Sequence, residues 1–458
     1  MDYGPLIARQ RAFFLTGATA SVEFRRDRLQ ALHDGLEARE SKLLAALHAD
    51  LRKSPHEAYA SEVGFVLGEI RHAIRHLPAW MKPERQRVPF LAWPGRARIR
   101  REAFGVALII GPWNYPLQLL LTPLVGSIAG GNTAVLKPSE FAPRTSAALA
   151  ALISETFDEN HVALVEGGLD CAEDLLREKF DTIFFTGGTG AGKAVMSAAA
   201  RHLTPVTLEL GGKSPCIVTA DAPVETSARR IAWGKFMNAG QTCVAPDHVW
   251  VERKVAPALL DALRDAIRGF YGDDPQQSPD YGRIVNRRHF DRLHAMLGDG
   301  KVFHGGRSDA DDLFIEPTVL TNVAAESAVM SEEIFGPILP VLVFDEIGEV
   351  IRHLNGQPSP LALYLFTKCR RTMDLVVAST RSGGVCINDT VSHILGRDLP
   401  FGGVGDSGMG DYHGRASFEC FTRRRSVLWR SLAIDPGFRY PPPGASLAAL
   451  KRLMRFFS

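Results

Sequence analysis

The chain has 458 residues, of which 45% are hydrophobic and 23% charged, a composition typical of globular proteins with two or three domains and unlike that of disordered binders. Because 53 basic residues nearly balance 51 acidic ones, the net charge of +2 predicts small-molecule partners and no binding of nucleic acid. The six cysteines lie far apart, without a C-x-x-C pair or zinc-like histidine spacing, which predicts a reducing, cytoplasmic location and no metal site.

The amino terminus and the hydropathy of the chain predict neither a cleaved leader nor a membrane span. The segment MDYGPLIARQRAFFLTG has no sustained apolar core followed by small residues, so no signal peptide is expected. No segment approaches the roughly 20 apolar residues that a membrane-spanning helix requires.

Residues 23 to 81 predict a helical scaffold. Apolar residues recur among charged ones at helical spacing, as at Leu29, Leu32 and Leu36. We therefore expect amphipathic helices that pack on the rest of the molecule.

Residues 104 to 210 alternate short β-prone runs with helical ones. The runs GVALII, TAVLK, VALVEG, DTIFFTG and PVTLEL predict strands, separated by helical segments such as APRTSAALAALISETF. Such alternation predicts a parallel sheet with helices on both faces, which binds dinucleotides at the carboxyl ends of its strands. From residue 211 to about residue 387 the alternation resumes with SPCIV, and this predicts a second α/β domain.

The stretch FFTGGTGAGKAV, residues 184 to 195, predicts a loop between a strand and a helix that binds phosphate. From Gly187 the spacing G-x-x-x-x-G-K fits a P-loop, but alanine follows in place of the Ser or Thr that binds Mg²⁺. Gly188, Gly190 and Gly192 fall one residue short of the usual dinucleotide-binding spacing. The interpretations that remain are a loop whose N–H groups face an anion and a purely structural turn.

Three side chains near turns are candidates for catalysis. Cys243 lies in the small, polar segment FMNAGQTCVAPD, where a thiol can be exposed near backbone N–H groups, so it is a candidate nucleophile. Asn114, in IIGPWNYP, is either a donor to an oxyanion or a turn-forming residue between two prolines. Glu209 ends the run PVTLEL, where its carboxylate acts as a general base or forms a salt bridge.

The residues from Arg439 onwards have a different composition. A proline-rich stop, YPPPG, precedes a segment with apolar residues on one helical face and cationic residues off it. The apolar residues are Leu447, Leu450, Met454 and Phe457, and the cationic residues are Lys451, Arg452 and Arg455. This pattern predicts either weak peripheral membrane contact or docking on the protein's own surface or across a dimer.

Seven segments together resemble the aldehyde dehydrogenase superfamily. In order and spacing they are GPWNYP, GNTAVLKPSE, FFTGGTGAGK, TLELGGKSPCIV, GQTCVAPD, EEIFGPILPV and FGGVGDSGMGDYHG, and the resemblance runs from about Phe24 to about Arg425. The longer segments RHLTPVTLELGGKSPCIV and RRIAWGKFMNAGQTCVAPDHV, together with PLALYLF, resemble the class 3 branch of fatty and aromatic aldehyde dehydrogenases.

The resemblance implies an α/β fold with three parts: a Rossmann-variant cofactor domain, a second α/β catalytic domain and a small oligomerisation arm. The expected boundaries are residues 1–82 and 101–210 for the cofactor domain, 211–398 for the catalytic domain, 83–100 and 399–430 for the arm, and 431–458 for a carboxyl-terminal tail. The arm implies a homodimer.

For catalysis, the resemblance implies oxidation of an aldehyde to a carboxylic acid through a thioester on Cys243. Asn114 matches the amide that holds the hemithioacetal oxyanion together with the Cys243 backbone N–H, and Glu209 matches the base that activates water. An apolar pocket is implied at Tyr115, Leu119, Trp233 and Phe401. These residues favour medium- to long-chain aliphatic or aromatic aldehydes, and ordinary core packing is the alternative.

The implied cofactor is NAD, with NADP as an alternative. Glu333 matches the residue that grips the nicotinamide ribose, with Phe335 packing beside it, and Lys137 and Glu140 match residues on the adenine ribose. Because Glu140 accepts a bond from a ribose 2′-hydroxyl and repels a 2′-phosphate, NAD is favoured. The matching pyrophosphate loop consists of Gly187, Gly188, Thr189, Gly190 and Gly192. Many relatives carry Ser where this chain has Gly188, so one phosphate contact is lost or made through water.

Two other functions remain as alternatives to aldehyde oxidation. The first is a non-catalytic nucleotide-binding or structural relative of the same fold, but Cys243, Glu209, Asn114 and Glu333 are all present, which favours the enzyme. The second is the CoA-acylating branch, which usually lacks the water-activating glutamate, and Glu209 argues against it.

Overall fold

A computed structural model describes residues 1–88, 92–435, 440–441 and 446–457. The helices are α1 (Gly4–Leu15), α2 (Val22–Leu51), α3 (Pro55–Ala58), α4 (Gly64–Trp80), α5 (Gln118–Gly130), α6 (Pro143–Thr156), α7 (Leu169–Arg177), α8 (Thr189–Ala200), α9 (Val224–Phe236), α10 (Ala256–Tyr271), α11 (Arg287–Met296), α12 (Ala328–Ser331), α13 (Ile347–Asn355), α14 (Arg370–Ser379), α15 (Gly414–Cys420) and α16 (Leu447–Phe457). A π-helical turn, Tyr59–Val63, connects α3 to α4.

The strands are β1 (Glu84–Gln86), β2 (Gly95–Ala103), β3 (Val106–Ile110), β4 (Thr133–Lys137), β5 (Val162–Leu164), β6 (Thr182–Thr186), β7 (Val206–Glu209), β8 (Pro215–Val218), β9 (His248–Glu252), β10 (Lys301–His304), β11 (Ser308–Asp309), β12 (Phe314–Ile315), β13 (Thr318–Thr321), β14 (Ile338–Phe344), β15 (Ala362–Phe366), β16 (Gly384–Ile387), β17 (Gly408–Met409) and β18 (Thr422–Arg430). The five runs predicted as strands between residues 104 and 210 are β3 to β7.

Two mainly parallel sheets form the body of the molecule. The first has the order β17-β7-β6-β3-β4-β5, and the second has the order β10-β13-β14-β9-β8-β15-β16. A third sheet is antiparallel, with the order β1-β2-β18, and β11 pairs with β12 in a small hairpin. The α/β architecture with two sheets is therefore as the sequence predicts, whereas the domain boundaries stay a prediction.

Helices cover both faces of the first sheet, which explains why its central strands β3, β4 and β6 are mainly apolar and buried at every residue. All five residues of β3 are buried. Ala107 and Ile109 face a core that α2, α4, α5 and α6 complete, whereas Val106 and Leu108 face a second core that includes α1. The predicted amphipathic helices of residues 23 to 81 are α2 and α4, and they contribute to the first of these cores.

The sheets place four sequence segments near one another. Asn114 follows β3, the glycine loop follows β6, Glu209 ends β7, and Cys243 follows a 3₁₀ turn after α9. Because the carboxyl ends of parallel strands share one edge of a sheet, the first three segments lie along the edge where such sheets bind ligands. Among the described residues, no helix is long and apolar enough to cross a membrane.

Candidate active site

Two cavities meet at Cys243. The first, of about 590 Å³, runs past the glycine loop, Asn114 and Glu209. The second, of about 540 Å³, is lined largely by aromatic and aliphatic side chains. Cys243 and Leu119 line both cavities, so the thiol lies where molecules held in the two cavities would meet.

The glycine loop opens towards the first cavity at Gly188 and Gly190. A Cβ atom at either position would meet nothing within 4 Å, whereas one at Gly187 or Gly192 would lie 2.6 Å from a neighbouring side chain. Helix α8 begins at Thr189, which also lines the cavity, so the partial positive charge of the helix terminus lies there. Gly188 and Gly190 therefore leave room for an anion, while Gly187 and Gly192 permit close packing.

Cys243 follows a turn of left-handed backbone. Asn238, Ala239 and Gly240 have φ angles of 52°, 51° and 76°, a region that costs a non-glycine residue about 1–3 kcal/mol. Two hydrogen bonds of Asn238 connect this turn to other segments: its N–H donates to Glu57 Oε1 at 2.8 Å, and its Nδ2 donates to the Asn114 carbonyl at 2.8 Å. The strained turn is therefore tied to the segment that carries the candidate oxyanion donor.

The surroundings of the Cys243 thiol favour its neutral form. Burial, followed by the negative charges of Glu333 and Glu209, raises its pKa to about 12. The backbone N–H groups of Cys243 and Val244 act in the opposite direction because they stabilise a thiolate. A nucleophilic thiolate here requires a base to accept the proton.

Asn114 is held by its surroundings in one orientation. Its side chain is 3% exposed, and Nδ2 donates one hydrogen bond to the Gln241 carbonyl at 3.0 Å. An amide nitrogen carries two hydrogens, so one is still available for an acceptor in the cavity that Asn114 and Cys243 line together. This is the geometry that an oxyanion donor requires, because the donor is oriented before the charge develops.

A buried ion pair, which we call the Lys53–Glu62 pair, supports the Asn114 backbone. Both side chains are fully buried, and Lys53 Nζ lies 2.5 Å from Glu62 Oε1. Lys53 Nζ also donates to the Asn114 carbonyl at 2.8 Å and lies 3.8 Å from the centroid of the Tyr115 ring. The second Glu62 oxygen accepts bonds from the N–H groups of two residues at the start of α5.

Glu209 is a buried carboxyl group facing the first cavity. It is 2% exposed, and neither of its oxygens has a hydrogen-bond partner among the described residues. Burial, followed by the charge of Asp411, raises its pKa well above the usual range for glutamate. Such a carboxylate is a stronger base than an exposed one, so the residue is suited to take a proton from water or from a thiol.

The loop that carries Glu333 is clamped on both sides. Lys213 Nζ donates to the carbonyl that precedes Glu333 at 2.8 Å, and Arg292 donates to the Glu333 carbonyl at 3.2 Å. A Cβ atom at Gly211 would lie 2.2 Å from Glu333 Oε2, so a side chain at this position would displace the Glu333 carboxylate. Burial raises the pKa of Glu333 to about 8. Phe335 also lines the first cavity.

Lys137 and Glu140 lie together but outside the lining of the first cavity. Lys137 Nζ lies 3.5 Å from Glu140 Oε2 and donates to the Pro138 carbonyl at 2.7 Å. Lys137 ends β4, the neighbour of β3 in the first sheet, so the pair lies at the same sheet edge as the other cofactor candidates.

The four predicted pocket residues, Tyr115, Leu119, Trp233 and Phe401, all line the second cavity. Trp233 is 43% exposed and the other three are buried, so Trp233 is not an ordinary core residue. The Tyr115 hydroxyl shares a hydrogen bond of 2.7 Å with Thr242, next to the nucleophile. Among the described residues, the lining includes the carboxyl groups of Glu57 and Asp280 but no lysine or arginine, which disfavours a ligand that carries a negative charge.

The structure also identifies residues that the sequence analysis missed. Trp113 and His289 line the first cavity, and the Trp113 ring packs against Phe335 with ring centroids 5.4 Å apart. Trp113 belongs to the segment GPWNYP, so its position beside Asn114 was a usable signal. His289 and Arg292 lie on α11 in a stretch without a recognisable motif, and nothing in the sequence singled them out.

The first cavity suits the nicotinamide and pyrophosphate portions of a dinucleotide, whereas the adenine-ribose candidates Lys137 and Glu140 lie outside its lining. The open glycines and the start of α8 suit the phosphates, and Glu333 offers carboxylate oxygens to a ribose. Thr186 lines the same space with a buried hydroxyl that has no hydrogen-bond partner among the described residues. The donors and acceptors of this cavity therefore match those that a nicotinamide dinucleotide requires.

Comparisons with known proteins agree with this geometry. Residues 6–427 match the aldehyde dehydrogenase family. The chain is 45% identical to 4,4'-diaponeurosporen-aldehyde dehydrogenase of Staphylococcus aureus, over 94% of this chain and 95% of the relative. It is 48% identical to human aldehyde dehydrogenase family 3 member B1 (96% and 94% covered) and 44% identical to the rat dimeric, NADP-preferring aldehyde dehydrogenase (96% and 98% covered).

A solved structure gives the same result for the fold. The substrate-bound state of Staphylococcus aureus AldH superposes with a TM-score of 0.97 at 43% identity, covering 99% of this chain and 100% of that one. Sequence, fold and cavity geometry agree, so the chain belongs to the aldehyde dehydrogenase family and is an oxidoreductase that acts on aldehydes with NAD(P).

Proposed function

We propose that this enzyme oxidises apolar aliphatic or aromatic aldehydes to carboxylic acids, with Cys243 as nucleophile, Asn114 as oxyanion donor and Glu209 as base. The observation that carries the proposal is the position of Cys243 between a cavity suited to a dinucleotide and a cavity lined by aromatic residues. A non-catalytic relative is not favoured, because these three residues and Glu333 come together around one space.

The side chains divide the reaction between them. The Cys243 sulfur bonds to the aldehyde carbon while the carbonyl π electrons move to oxygen, where Asn114 Nδ2 and the Cys243 N–H stabilise the negative charge. Glu209 takes the thiol proton before this step or a water proton afterwards, when water attacks the thioester and releases the carboxylic acid. Bound NAD(P) supplies the acceptor for the hydride that the aldehyde carbon loses between these steps.

The substrate class follows from the lining of the second cavity. Tyr115, Leu119, Trp233 and Phe401 present apolar surface, and no lysine or arginine among the described lining residues would pair with a carboxylate. We expect kcat/KM to rise along a series of straight-chain alkanals and to be low for an aldehyde that carries a second carboxylate. The assay is the appearance of NADH absorbance with purified enzyme. Equal rates for neutral and carboxylate-bearing aldehydes would contradict the apolar assignment.

The preference between cofactors is proposed to favour NAD. Glu140 lies beside Lys137 at the sheet edge, and its negative charge would repel the 2′-phosphate of NADP. The name of the rat relative states that it prefers NADP, so the two cofactors need to be compared directly in the same assay. A kcat/KM that is higher with NADP would overturn this part of the proposal.

A homodimer is proposed on the basis of open strand edges. Strand β18 is at the edge of the three-stranded sheet and β16 is at the edge of the second sheet, so both present unpaired backbone groups. Near its end, β18 exposes Leu428, which is 55% exposed and lies on the face of the sheet opposite to Trp429. Light scattering on the purified enzyme should give twice the mass of one chain, and a monomer at micromolar concentration would overturn the proposal.

Weak membrane contact through the tail is also proposed. Leu447, Leu450 and Met454 on α16 are exposed, and Lys451, Arg452 and Arg455 are exposed on the same helix, whereas the side chain of Phe457 lies outside the described residues. Deleting residues 445 to 458 should reduce flotation with anionic liposomes, and equal flotation with and without them would exclude contact by the tail. A cytoplasmic location likewise stays a proposal, supported by six unpaired cysteines.

A further inference from the structure

The three-stranded sheet has one face rich in arginine, which we call the arginine face. Arg98 pairs with Arg85 of β1 and with Val427 of β18, while Arg100 pairs with Arg425. Because side chains alternate between the two faces of a strand, this register places one set of residues on the same side of the sheet. The set comprises Arg85, Arg96, Arg98, Arg100, Glu102, Arg423, Arg425, Val427 and Trp429.

The opposite face of the same sheet balances its charges internally. Arg101 forms an ion pair of 3.0 Å with Glu419 of α15, and Arg424 lies 3.7 Å from Glu84. Arg415 also pairs with both of these glutamates. Arg430, on the same side, lies 3.8 Å from Asp435, so each arginine of the strands on this side has a carboxylate within 4 Å.

The arginine face lacks such compensation. Glu102 is its only carboxylate, and Arg423 and Arg425 share it at 3.0 Å and 3.1 Å. Among the described residues, the side chains of Arg85, Arg98 and Arg100 form no ion pair or hydrogen bond, and all three residues are exposed. Six arginines and one glutamate give this face a formal charge of +5, whereas the whole chain carries +2.

We propose that the arginine face is a docking surface for anionic phospholipid bilayers. Guanidinium groups bind phosphate oxygens in pairs of hydrogen bonds, and a row of them on a sheet can contact several headgroups at once. The surface potential of an anionic bilayer attracts each nearby cationic side chain independently, so the uncompensated arginines act together.

Two observations favour a bilayer over other anionic partners. Trp429 and Val427 lie on the same face and are 57% and 40% exposed, and tryptophan is enriched at membrane interfaces. Beyond β18 the chain exposes Leu432 and Ile434 as well. A nucleic acid offers phosphates but no apolar phase for these side chains. Two arginine faces would oppose like charges if they met each other, which disfavours this face as a self-complementary contact between two copies of the chain.

The surface is compatible with the dimer proposed above and is separate from the active site. Pairing through the edge of β18 uses its backbone groups and leaves the side chains of the arginine face free. None of the residues of this face lines either of the two cavities at Cys243. Turnover of a water-soluble aldehyde therefore reports whether a variant is folded, independently of lipid binding. A failure of the lipid-binding proposal would leave the proposed aldehyde oxidation intact, and the reverse also holds.

The test is sedimentation of the full-length enzyme with phosphatidylcholine vesicles that contain or lack phosphatidylglycerol. The variant Arg98→Gln/Arg100→Gln should lower the partition coefficient for anionic vesicles about 25-fold, since each cationic residue near such a surface contributes about fivefold. Binding should weaken as salt increases, and turnover of the soluble aldehyde should be unchanged.

A matched control separates this surface from general charge effects. Arg370→Gln/Arg371→Gln removes two exposed arginines from α14 and changes the net charge equally. The proposal is overturned if this control lowers binding as much, if wild-type enzyme binds neutral vesicles equally well, or if deleting residues 445 to 458 abolishes binding by itself. Tighter binding to single-stranded RNA than to anionic vesicles at the same salt concentration would also overturn it.

Discussion

Replacing Lys53 by methionine should slow aldehyde oxidation, although Lys53 lines neither cavity at Cys243. Its Nζ bridges Glu62 Oε1 at 2.5 Å and the Asn114 carbonyl at 2.8 Å. Glu62 in turn accepts bonds of 2.9 Å and 3.2 Å from the N–H groups of Leu117 and Gln118. The Lys53–Glu62 pair therefore fixes the peptide of the oxyanion donor against the start of α5.

The expected losses of stability and of rate depend on which buried groups each substitution leaves without a partner. Lys53→Met alone leaves the Glu62 charge buried without a cation, which costs about 3–5 kcal/mol of folding stability. Adding Glu62→Gln removes that charge but keeps an oxygen for the two N–H groups, so the double variant should regain most of the stability. Asn114 keeps its bonds to the Asn238 side chain and to the Gln241 carbonyl, so we expect a partial displacement. A misplacement of about 1 Å costs on the order of 100-fold in rate.

The measurement is the rate of the first NADH burst in stopped-flow experiments with the double variant Lys53→Met/Glu62→Gln. The burst should slow by about 10- to 100-fold, because an oxyanion donor acts mainly in the transition state, while the Kd for NAD should be unchanged. Arg25→Met is the matched control, since it also removes a buried cation that bonds to backbone carbonyls, at 2.8 Å and 2.9 Å. A folded double variant with the wild-type burst rate would refute a positioning role.

Further variants test the proposed catalytic and cofactor residues. Cys243→Ala should abolish oxidation while NAD binding remains, and substantial turnover would place the nucleophile elsewhere. Glu209→Gln should release about one NADH per site and then nearly stop, with acyl-enzyme visible by intact mass spectrometry, whereas normal steady-state turnover would leave Glu209 a structural residue. Because its pKa is raised to about 12, Cys243 should be alkylated faster as pH rises above neutrality, and a rate already constant at pH 7 would contradict a neutral thiol. Glu140→Gln should narrow the difference in kcat/KM between NAD and NADP, and an unchanged ratio would remove Glu140 from the ribose site.

The fold was predictable because local pattern and tertiary environment agree in this chain. The strands β3, β4 and β6 are buried at every residue and mainly apolar, as expected for strands covered by helices on both faces. The glycine loop after β6 was visible as a strand-to-helix turn, but its spacing fitted neither common fingerprint. Only the structure shows that Gly188 and Gly190 leave open space while Gly187 and Gly192 serve packing.

The central residues of the candidate site were predictable from the sequence, whereas the residues that hold them in position were not. Taken alone, Cys243, Asn114 and Glu209 could each be explained as a structural residue. The resemblance of whole segments to one family indicated that they act together in catalysis. No sequence pattern indicated the arginine face, because the side of the sheet on which each arginine lies depends on the register between paired strands. The stretch GRARIRREA and the run around Arg423 are more than 300 residues apart in the sequence, and only the pairing of β2 with β18 shows that their charges add on one face.

The Lys53–Glu62 pair shows why such supports escape sequence analysis. In a stretch of amphipathic helices, a lysine and a glutamate nine residues apart are read as solvent-exposed charges. Here Glu62 lies in the π-helical turn Tyr59–Val63, whose wider spacing breaks the 3.6-residue repeat on which helical patterns depend. The turn places the carboxylate in the core, where the start of α5 and the Lys53 ammonium satisfy it. Burying this charge is costly in isolation, and its connection to the Asn114 peptide gives a functional reason for retaining it.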